Sequence, residues 1–327
     1  MAHHRNPGTS LGLLAVLVSV AGCYSGPAVR GSFERNFTVT GPIRLELSNA
    51  AGDVTITGSA DGQVRVSGDV RASGIGFENP RKRLEDIISH PPLEQRGDII
   101  RIGKDFSRMR NLSITYTIQV PHDTEISASV ASGAQNIRDL RGPVKVHSAS
   151  GSIHVEKIDR AAELNTASGS VSATDVGSDV HVNSLSGNVA VSNVKGDVRV
   201  NALSGVIRVS QPGGRVEGET AGGEVEIQGA ANDVHARSAS GRVYVQGNPG
   251  AQCFWDLKTA SGSVQISVPP SSNFHLSAEA TSGEIRADIP IFIEEQDKHS
   301  LRAHMGTGGG RVELHTVSGE IHLTPSK

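Results

Sequence analysis

Residues 178–213 read SDVHVNSLS, GNVAVSNVK, GDVRVNALS and GVIRVSQPG when they are written in blocks of nine. Each block starts with a turn-forming residue and has Val or Ile at positions three and five. The alternation at positions two to five, as in Asp197-Val198-Arg199-Val200, is typical of a short strand with one buried face. Two strands and two turns therefore make one unit of 18 residues.

The same period continues through most of the chain. A small residue followed by Gly recurs every 18 residues at first and at wider spacing later. These pairs are Ser132-Gly133, Ser150-Gly151, Ser168-Gly169, Ser186-Gly187, Ser204-Gly205, Gly222-Gly223, Ser240-Gly241, Ser261-Gly262, Ser282-Gly283 and Ser318-Gly319. A second set of corners lies halfway between them, at Gly142, Arg160, Ser178, Gly196, Gly214 and Asn232. Because each strand is too short to be stable alone, we expect every coil to stack on the one before it at ~4.8 Å, with backbone hydrogen bonds along the stack.

Stacking predicts columns of equivalent residues. The predicted internal columns are Val144, Leu164, Val182 and Val200, and Ile153, Val171, Val189 and Ile207. The outward position four gives a column of mixed charge, made of Lys145, Glu163, His181, Arg199, Glu217 and His235. Mixed charge limits repulsion between successive coils. At position six, Asn165, Asn183 and Asn201 are predicted to form an amide ladder.

Two segments interrupt the repeat. Residues 74–97 are predicted to contain a short helix, with Asn79 as its N-cap and Pro80 as its first residue. Residues 289–309 are predicted to form a loop excursion before the final coil. The sequence thus predicts one all-β domain over residues 36–327. Its fold class is a β-solenoid with about 18 residues and two short strands per coil, and with one short helical insertion.

Composition agrees with thin β layers. The 327 residues are 36% hydrophobic, which is enough to fold, but only 3% aromatic, and 38 of them are glycine. Val, Ile, Leu and Ala must therefore fill the core. The formal charge of −3 and the lack of a concentrated basic stripe argue against nucleic acid as a partner.

The first 23 residues resemble the signal of a bacterial lipoprotein. A basic start is followed by an apolar run over residues 11–20, which is too short for a membrane-spanning helix of ~20 residues. Val20-Ala21-Gly22-Cys23 resembles the lipobox of that class. The resemblance implies that residues 1–22 are a signal peptide, that Cys23 is lipidated on its sulfur and its amine, and that residues 23–35 form the lipidated Cys and a linker. An ordinary secretory peptide that contains a cysteine is the alternative.

The residues around the two cysteines predict location and pairing. Tyr24, not Asp, follows Cys23. By analogy with enteric lipoproteins, this predicts export to the outer membrane. The protein could lie on either the periplasmic or the surface face of that membrane. If Cys23 is lipidated, Cys253 has no partner, and we expect it to be a buried small apolar residue beside Phe254 and Trp255. A disulfide scaffold is thereby excluded.

No pattern in the chain predicts a catalytic, cofactor or metal site. His154, His181 and His235 share the outward position four, which favours a solvated surface over a metal centre. The corners lack the repeated Gly-Gly-x-Gly-x-Asp of calcium-binding repeats, and their serines lack a nucleophile elbow. Glu224 and Glu226 lie on one strand face but are interpreted as surface charges. We therefore expect no catalytic residue, no cofactor and no metal.

Three features together carry a family resemblance. They are the strand LSITYTIQVP at residues 112–121, the serial Ser-Gly corners, and Val317-Ser318-Gly319-Glu320-Ile321 near the end. From about residue 36 onward the chain resembles the bacterial β-strand-repeat "putative adhesin" family, a domain of unknown function. The resemblance implies a β-helix-like solenoid of the cell envelope.

These observations predict a non-enzymatic envelope lipoprotein whose rigid solenoid is a structural or adhesive interaction surface. Its partners would be the membrane, through the lipid anchor, and an envelope protein or polysaccharide. Two alternatives stay open. One is a polysaccharide-active enzyme with its site on a solenoid face, and the other is a sensory or regulatory module for envelope stress.

Overall fold

The computed structural model describes residues 28–73, 79–103 and 112–326. These residues form 29 strands and one helix, numbered in chain order. The elements are β1 (Val29–Thr38), β2 (Arg44–Asn49), β3 (Val54–Ser59), β4 (Gln63–Ala72), α1 (Pro80–Ser89), β5 (Leu93–Arg96), β6 (Ile99–Ile102), β7 (Leu112–Pro121), β8 (Glu125–Ser132), β9 (Gln135–Leu140), β10 (Val144–Ser150), β11 (Ile153–Ile158), β12 (Ala162–Ser168), β13 (Val171–Val176), β14 (Val180–Ser186), β15 (Val189–Val194), β16 (Val198–Ser204), β17 (Ile207–Pro212), β18 (Val216–Gly222), β19 (Val225–Ala230), β20 (Val234–Ser240), β21 (Val243–Gly247), β22 (Phe254–Ser261), β23 (Val264–Val268), β24 (Phe274–Ser282), β25 (Ile285–Ala287), β26 (Phe292–Gln296), β27 (Ser300–Met305), β28 (Gly310–Ser318) and β29 (Ile321–Pro325).

The strands form two long sheets around one apolar core. Sheet A has the order β1-β4-β7-β3-β9-β11-β13-β15-β17-β19-β21-β23-β29-β25, and sheet B has the order β26-β27-β24-β28-β22-β20-β18-β16-β14-β12-β10-β8-β2-β6-β5. From β8 to β23, successive strands alternate between the sheets, and each strand from β10 on pairs in parallel with the strand one coil earlier. The predicted all-β solenoid with two short strands per coil is confirmed.

The strand register confirms most of the predicted columns. Val182 pairs with Val200 on the next rung, and both side chains are fully buried. The second internal column and the charged column at position four also follow the register. Like residues therefore stack on like along the core, as in other repeat proteins.

The prediction is wrong for Val144. This residue pairs with Ala162, whereas Val146 pairs with Leu164 and belongs to the column of Val182. Val144 and Val146 both point into the core. Alternation alone cannot tell which of the two lies beside Leu164.

The second residue of each Ser-Gly corner is glycine because the backbones of adjacent coils are in direct contact there. Gly187 has φ of 130°, and a Cβ on it would lie 2.2 Å from the carbonyl oxygen of Gly169 on the preceding rung. The conformation and the contact both exclude a side chain. The equivalent glycines share this geometry from Gly133 to Gly319.

A second column of left-handed residues lies at position seven of the sheet A half-coils. Its members are Asp139, Lys157, Asp175, Asn193 and Gln211, with φ between 53° and 60°, followed by Gly229 at 77°. Asn and Asp adopt this conformation readily, but Lys and Gln do so at a cost. The second turn predicted from the sequence lies three residues later, at Gly142 and its equivalents, so this column was not predicted.

The N-terminal end of the solenoid is closed by antiparallel strands and by α1. The Asn79 side chain accepts a hydrogen bond from the backbone N–H of Arg81 at 3.0 Å, and Pro80 starts the helix, as predicted. Leu84 and Ile87 are buried, and α1 packs against β1 and β4. Within the predicted insertion, residues 93–96 are not helical but form β5, which pairs antiparallel with β6.

The predicted linker is shorter than expected. Residues 29–35 belong to β1, which pairs antiparallel with β4 along its whole length. Phe33 is buried, and its ring fills the space that a side chain at Gly68 would need. One buried aromatic residue among exposed neighbours gives too little alternation to mark a strand in the sequence.

The C-terminal excursion over residues 289–309 is a β-hairpin and not a loop. β27 pairs antiparallel with β24, and β26 pairs antiparallel with β27. Leu301, Ala303 and Met305 alternate with outward residues and are buried. In addition, β28 lies between β22 and β24, so the last coil of the sequence is not the last coil of the stack.

Candidate interaction groove

A groove of about 700 Å³ runs along the outer face of sheet B, across the strands from β10 to β20. Its amide wall is the column at position six, made of His147, Asn165, Asn183, Asn201, Glu219 and Arg237. Its apolar wall is position eight, made of Ala167, Leu185, Leu203 and Ala221. Its floor is position seven, made of Ser148, Thr166, Ser184, Ala202 and Thr220. The groove thus crosses six successive rungs and presents different chemistry on its two sides.

Hydrogen bonds hold the amide wall in register. Asn183 Nδ2 donates to Asn165 Oδ1 at 2.9 Å, and Asn201 Nδ2 donates to Asn183 Oδ1 at 3.2 Å. The predicted amide ladder is therefore confirmed. At the end of the ladder, Asn201 Oδ1 accepts no hydrogen bond from the part of the chain that the structure describes. Hydrogen-bonding capacity is left over on this wall.

The apolar wall exposes two leucines. Leu185 and Leu203 are each 58% exposed and lie on successive rungs. Position eight is apolar in both half-coils of the sequence. Only the position-eight side chains of the sheet A half-coils, such as Val176 and Val194, are buried. In the sheet A half-coils, the left-handed residue at position seven turns position eight inward. In the sheet B half-coils, position seven is itself buried, as at Ser184, so position eight faces outward.

The charges near the groove are paired from rung to rung. Lys145 Nζ donates to Glu163 Oε2 at 2.9 Å, and this bond, aided by one from Asn165, lowers the pKa of the Glu163 carboxyl despite its partial burial. At the far end of the groove, Arg237 Nη1 lies 3.3 Å from Glu219 Oε1. The middle of the groove, from Thr166 to Leu203, has no charged side chain in its lining.

Asp256 has a buried carboxylate that anchors an ion-pair cluster one rung beyond the groove. Its side chain is only 5% exposed, and Arg237 Nη2 donates to Oδ2 at 3.1 Å while Lys258 Nζ lies 2.8 Å from Oδ1. Burial alone would raise the pKa of Asp256, but the hydrogen bonds from Lys258 and Arg237 together lower it. The cluster fixes Arg237 at the end of the amide wall.

The histidines singled out in the sequence do not come together. His154, His181 and His235 stand on separate rungs, partly exposed, in the outward position predicted for them. His181 Nε2 lies 3.1 Å from Asn183 Nδ2, and His235 Nδ1 lies 3.8 Å from Asp256 Oδ2. Within residues 28–73, 79–103 and 112–326, no group of three or more His, Cys, Asp or Glu side chains is arranged to hold a metal ion.

Glu224 and Glu226 each bind an arginine on a neighbouring rung. Glu226 Oε2 accepts from Arg208 at 3.1 Å, and Glu224 Oε2 accepts from Arg242 at 3.4 Å. Both carboxylates are therefore engaged in ion pairs along the outer surface of the stack.

The structure describes Cys253 but not Cys23. Cys253 is partly exposed instead of buried, and its Sγ lies 3.2 Å from the carbonyl oxygen of Ala231. It stands in the irregular turn before β22, where the expected inward alternation does not apply. The predicted signal peptide, residues 1–22, and the predicted lipidation site, Cys23, lie outside the described residues.

A second exposed apolar feature lies at the end of the stack. β26 is the outermost strand of sheet B, and Phe292 and Ile293 on it are 65% and 55% exposed. The Phe292 ring stacks on His304, with 5.2 Å between the ring centroids. Over the described ranges, no helix has both the length and the apolar character needed to cross a bilayer.

The chain is similar to a described protein family and to a solved structure. A family model described as Toastrack DUF4097 matches residues 98–324. A solved structure described as a "putative cell adhesion protein" from Clostridium sporogenes ATCC 15579 aligns with 91% of this chain and 100% of its own, at 10% identity and a TM-score of 0.23. No curated protein sequence matches the chain.

Proposed function

Since the chain belongs to the Toastrack DUF4097 family, a domain of unknown function, we propose that it is a non-enzymatic envelope lipoprotein whose solenoid is a rigid interaction surface of adhesive or structural type. In this proposal Cys23 carries the lipid anchor in the outer membrane. The groove on sheet B is the surface that a partner contacts.

The exposed leucines of the groove carry the proposal. The fold does not require Leu at these positions, because Ala167 and Ala221 occupy the same column on the neighbouring rungs. Leu185 and Leu203 are two of only five large apolar side chains that are exposed in the described residues. Adjacent exposed apolar side chains in a groove are characteristic of contact surfaces.

The rest of the molecule supports a rigid scaffold. Sheet B contains 15 strands, which at ~4.8 Å per strand gives a length of roughly 65 Å. Ladders of backbone hydrogen bonds and paired charges run along this length. β1 lies at one end of the stack and β26 at the other, so an anchor before β1 holds the groove between the membrane and the tip.

The lining of the groove does not favour glycan hydrolysis. Acid–base cleavage of a glycosidic bond uses a pair of carboxyl groups. Among the residues that line the groove, Glu219 has the only carboxylate, and Arg237 binds it. These contacts support an interaction surface over the enzyme alternative.

The proposal is tested by binding of the soluble body, residues 24–327, to isolated envelope. We expect retention of the parent protein and weaker retention of the double variant Leu185→Ala/Leu203→Ala. Val317→Ala is the matched control, because Val317 occupies the same exposed position on a rung outside the groove. Absence of retention for the parent protein contradicts the proposal. Protease treatment of the envelope then identifies the kind of partner, because retention on a protein is abolished and retention on a polysaccharide is kept.

The anchor is tested separately on the full chain produced in a bacterium. We expect mass spectrometry to find acyl groups on Cys23 as the first residue of the mature protein. Cys23→Ser should leave the protein unacylated and release it from the membrane fraction. A mature chain cleaved elsewhere, with Cys23 unmodified, contradicts the lipoprotein assignment.

A further inference from the structure

We infer that the groove binds an uncharged linear polysaccharide of β-linked six-membered rings, seated along the solenoid axis with about one sugar per rung. The inference rests on the proposed function and names the class of its ligand. It is derived from the chemistry of the two walls, their spacing and their charge.

The two walls match the two kinds of surface that a pyranose ring presents. Ring hydroxyls are hydrogen-bond donors and acceptors, and the amide wall offers both from Asn165, Asn183 and Asn201. The C–H face of the ring is apolar, and Leu185 and Leu203 offer an apolar surface on the opposite wall. A sugar lying between the walls satisfies both.

The spacing of the groove favours a sugar chain over a peptide. Successive rungs are ~4.8 Å apart, so the six rungs of the groove span roughly 24 Å. A β-linked pyranose with its bonds at opposite ring positions advances by about one such spacing and turns over at each linkage, so every second ring meets an equivalent pair of side chains two rungs further on. An extended peptide advances ~3.3 Å per residue and repeats its side-chain direction every second residue, so it does not keep step with the rungs.

The charge distribution favours an uncharged ligand. Between Thr166 and Leu203 no Lys or Arg lines the groove to pair with an acidic sugar. The charged groups of the neighbouring column are already paired, as Lys145 is with Glu163. A charged polymer would bring unpaired charge into contact with the apolar wall, at a cost in desolvation.

Calorimetric titration of the soluble body with defined oligosaccharides tests the inference. The probes are cellohexaose and chitohexaose, with cellobiose for length, maltohexaose for linkage and hexagalacturonate for charge. We expect at least one of the two β-linked hexamers to bind at least tenfold more tightly than each of the three comparison sugars.

Two variants locate the binding within the groove. Leu185→Ala/Leu203→Ala and Asn183→Ser should each weaken binding of the hexamer at least tenfold. Both changes introduce residues that the repeat already holds in the same columns, Ala167 and Ser129, so the fold should be kept. Circular dichroism checks this, and Val317→Ala should bind like the parent protein.

The outcomes separate this inference from the proposed function. If the body is retained on envelope but neither neutral hexamer binds, the polysaccharide inference is wrong and the interaction surface stands. Binding of hexagalacturonate in preference to the neutral hexamers, or displacement of a bound hexamer by an extended peptide, also overturns the inference. If the body is not retained on envelope, the proposed function itself fails, whatever the oligosaccharides do.

Discussion

At the scale of single residues, one hydrogen atom in place of a methyl group decides whether two coils can stack. At each Ser-Gly corner, the glycine lies against the backbone of the equivalent glycine one rung earlier. This close approach explains why the Ser-Gly pair recurs while the other corner is variable. The serine before it is exposed and is replaced by Gly222 in one coil.

We expect Gly187→Ala to lower the free energy of unfolding by at least about 3 kcal/mol. The new methyl group would lie 2.2 Å from a backbone oxygen at a residue with φ of 130°, so two coils must separate. Urea unfolding measures the change. Gly222→Ser, one residue before a corner glycine, is the control and should have an effect of less than about 0.5 kcal/mol. Equal effects of the two changes would contradict this account.

A substitution at Tyr116 is expected to stabilise the protein. Its hydroxyl is buried with no hydrogen-bond partner among the residues described, and burial raises the pKa of Tyr116 well above its usual range. We expect Tyr116→Phe to raise the free energy of unfolding by about 1 kcal/mol, because the change removes an unsatisfied buried polar group and keeps the ring contact with Phe33. Tyr244→Phe, at a partly exposed tyrosine, should have little effect. A destabilised Tyr116→Phe would show that the hydroxyl has a partner after all.

Asp256 makes stability depend on pH. Its pKa in the folded state is lowered, so its contribution is complete above the ordinary carboxyl range and is lost as the pH falls through the folded-state pKa. We expect Asp256→Asn to cost about 2 kcal/mol at pH 7, since hydrogen bonds to charged groups are lost. The difference from the parent protein should begin to shrink as the pH falls below about 4 and should disappear only below the folded-state pKa. A difference that is constant from pH 7 to pH 3 would exclude the ion-pair explanation.

At the scale of the element, the two half-coils have the same apolar pattern but different geometry. The difference comes from position seven, which is left-handed in sheet A and extended in sheet B. One backbone rotation thus decides whether position eight fills the core, as Val194 does, or lines the groove, as Leu203 does. The groove follows from the asymmetry of the repeat.

The left-handed column predicts a stabilising substitution. Gln211 has φ of 53°, a conformation that costs ~1–2 kcal/mol for a residue with a side chain. We expect Gln211→Gly to raise the free energy of unfolding by about 0.5–1 kcal/mol, after the greater freedom of glycine in the unfolded chain is subtracted. Gly229→Ala, at the same position one coil later, should lower it by a similar amount. Thermal unfolding of both variants tests the sign.

Much of the repeat could be predicted from the sequence, because a column is visible wherever its spacing is regular. The amide ladder and the stacking of Val182 on Val200 follow from the period of 18. The exposure of Leu185 could not be predicted, since it depends on the backbone conformation of the preceding residue and not on hydrophobicity. The hairpin of β26 and β27 was missed because its pairing is antiparallel and lies outside the repeat.

At the scale of the whole molecule, each coil touches mainly its neighbours, so coils can be removed in whole units. We expect deletion of residues 187–204 to give a folded protein with a smaller urea m-value, because Ser186 then precedes Gly205 just as Ser204 does now. Deletion of residues 187–195 is the control. It removes half a coil, places two sheet B half-coils in succession and should prevent cooperative unfolding. A folded half-coil variant would contradict the distinction between the two half-coils.

The position of β28 between β22 and β24 constrains the order in which the rungs can fold. Rungs from β8 to β22 can form in the order in which the chain emerges during synthesis, each on a finished neighbour. β24 can pair with β27 on its outer side, but on its inner side it has no rung to stack on until β28, which is made later, lies between it and β22. The free end of the solenoid must therefore wait for β28, so a chain interrupted before Gly310 would lose its closing lid as well as one rung.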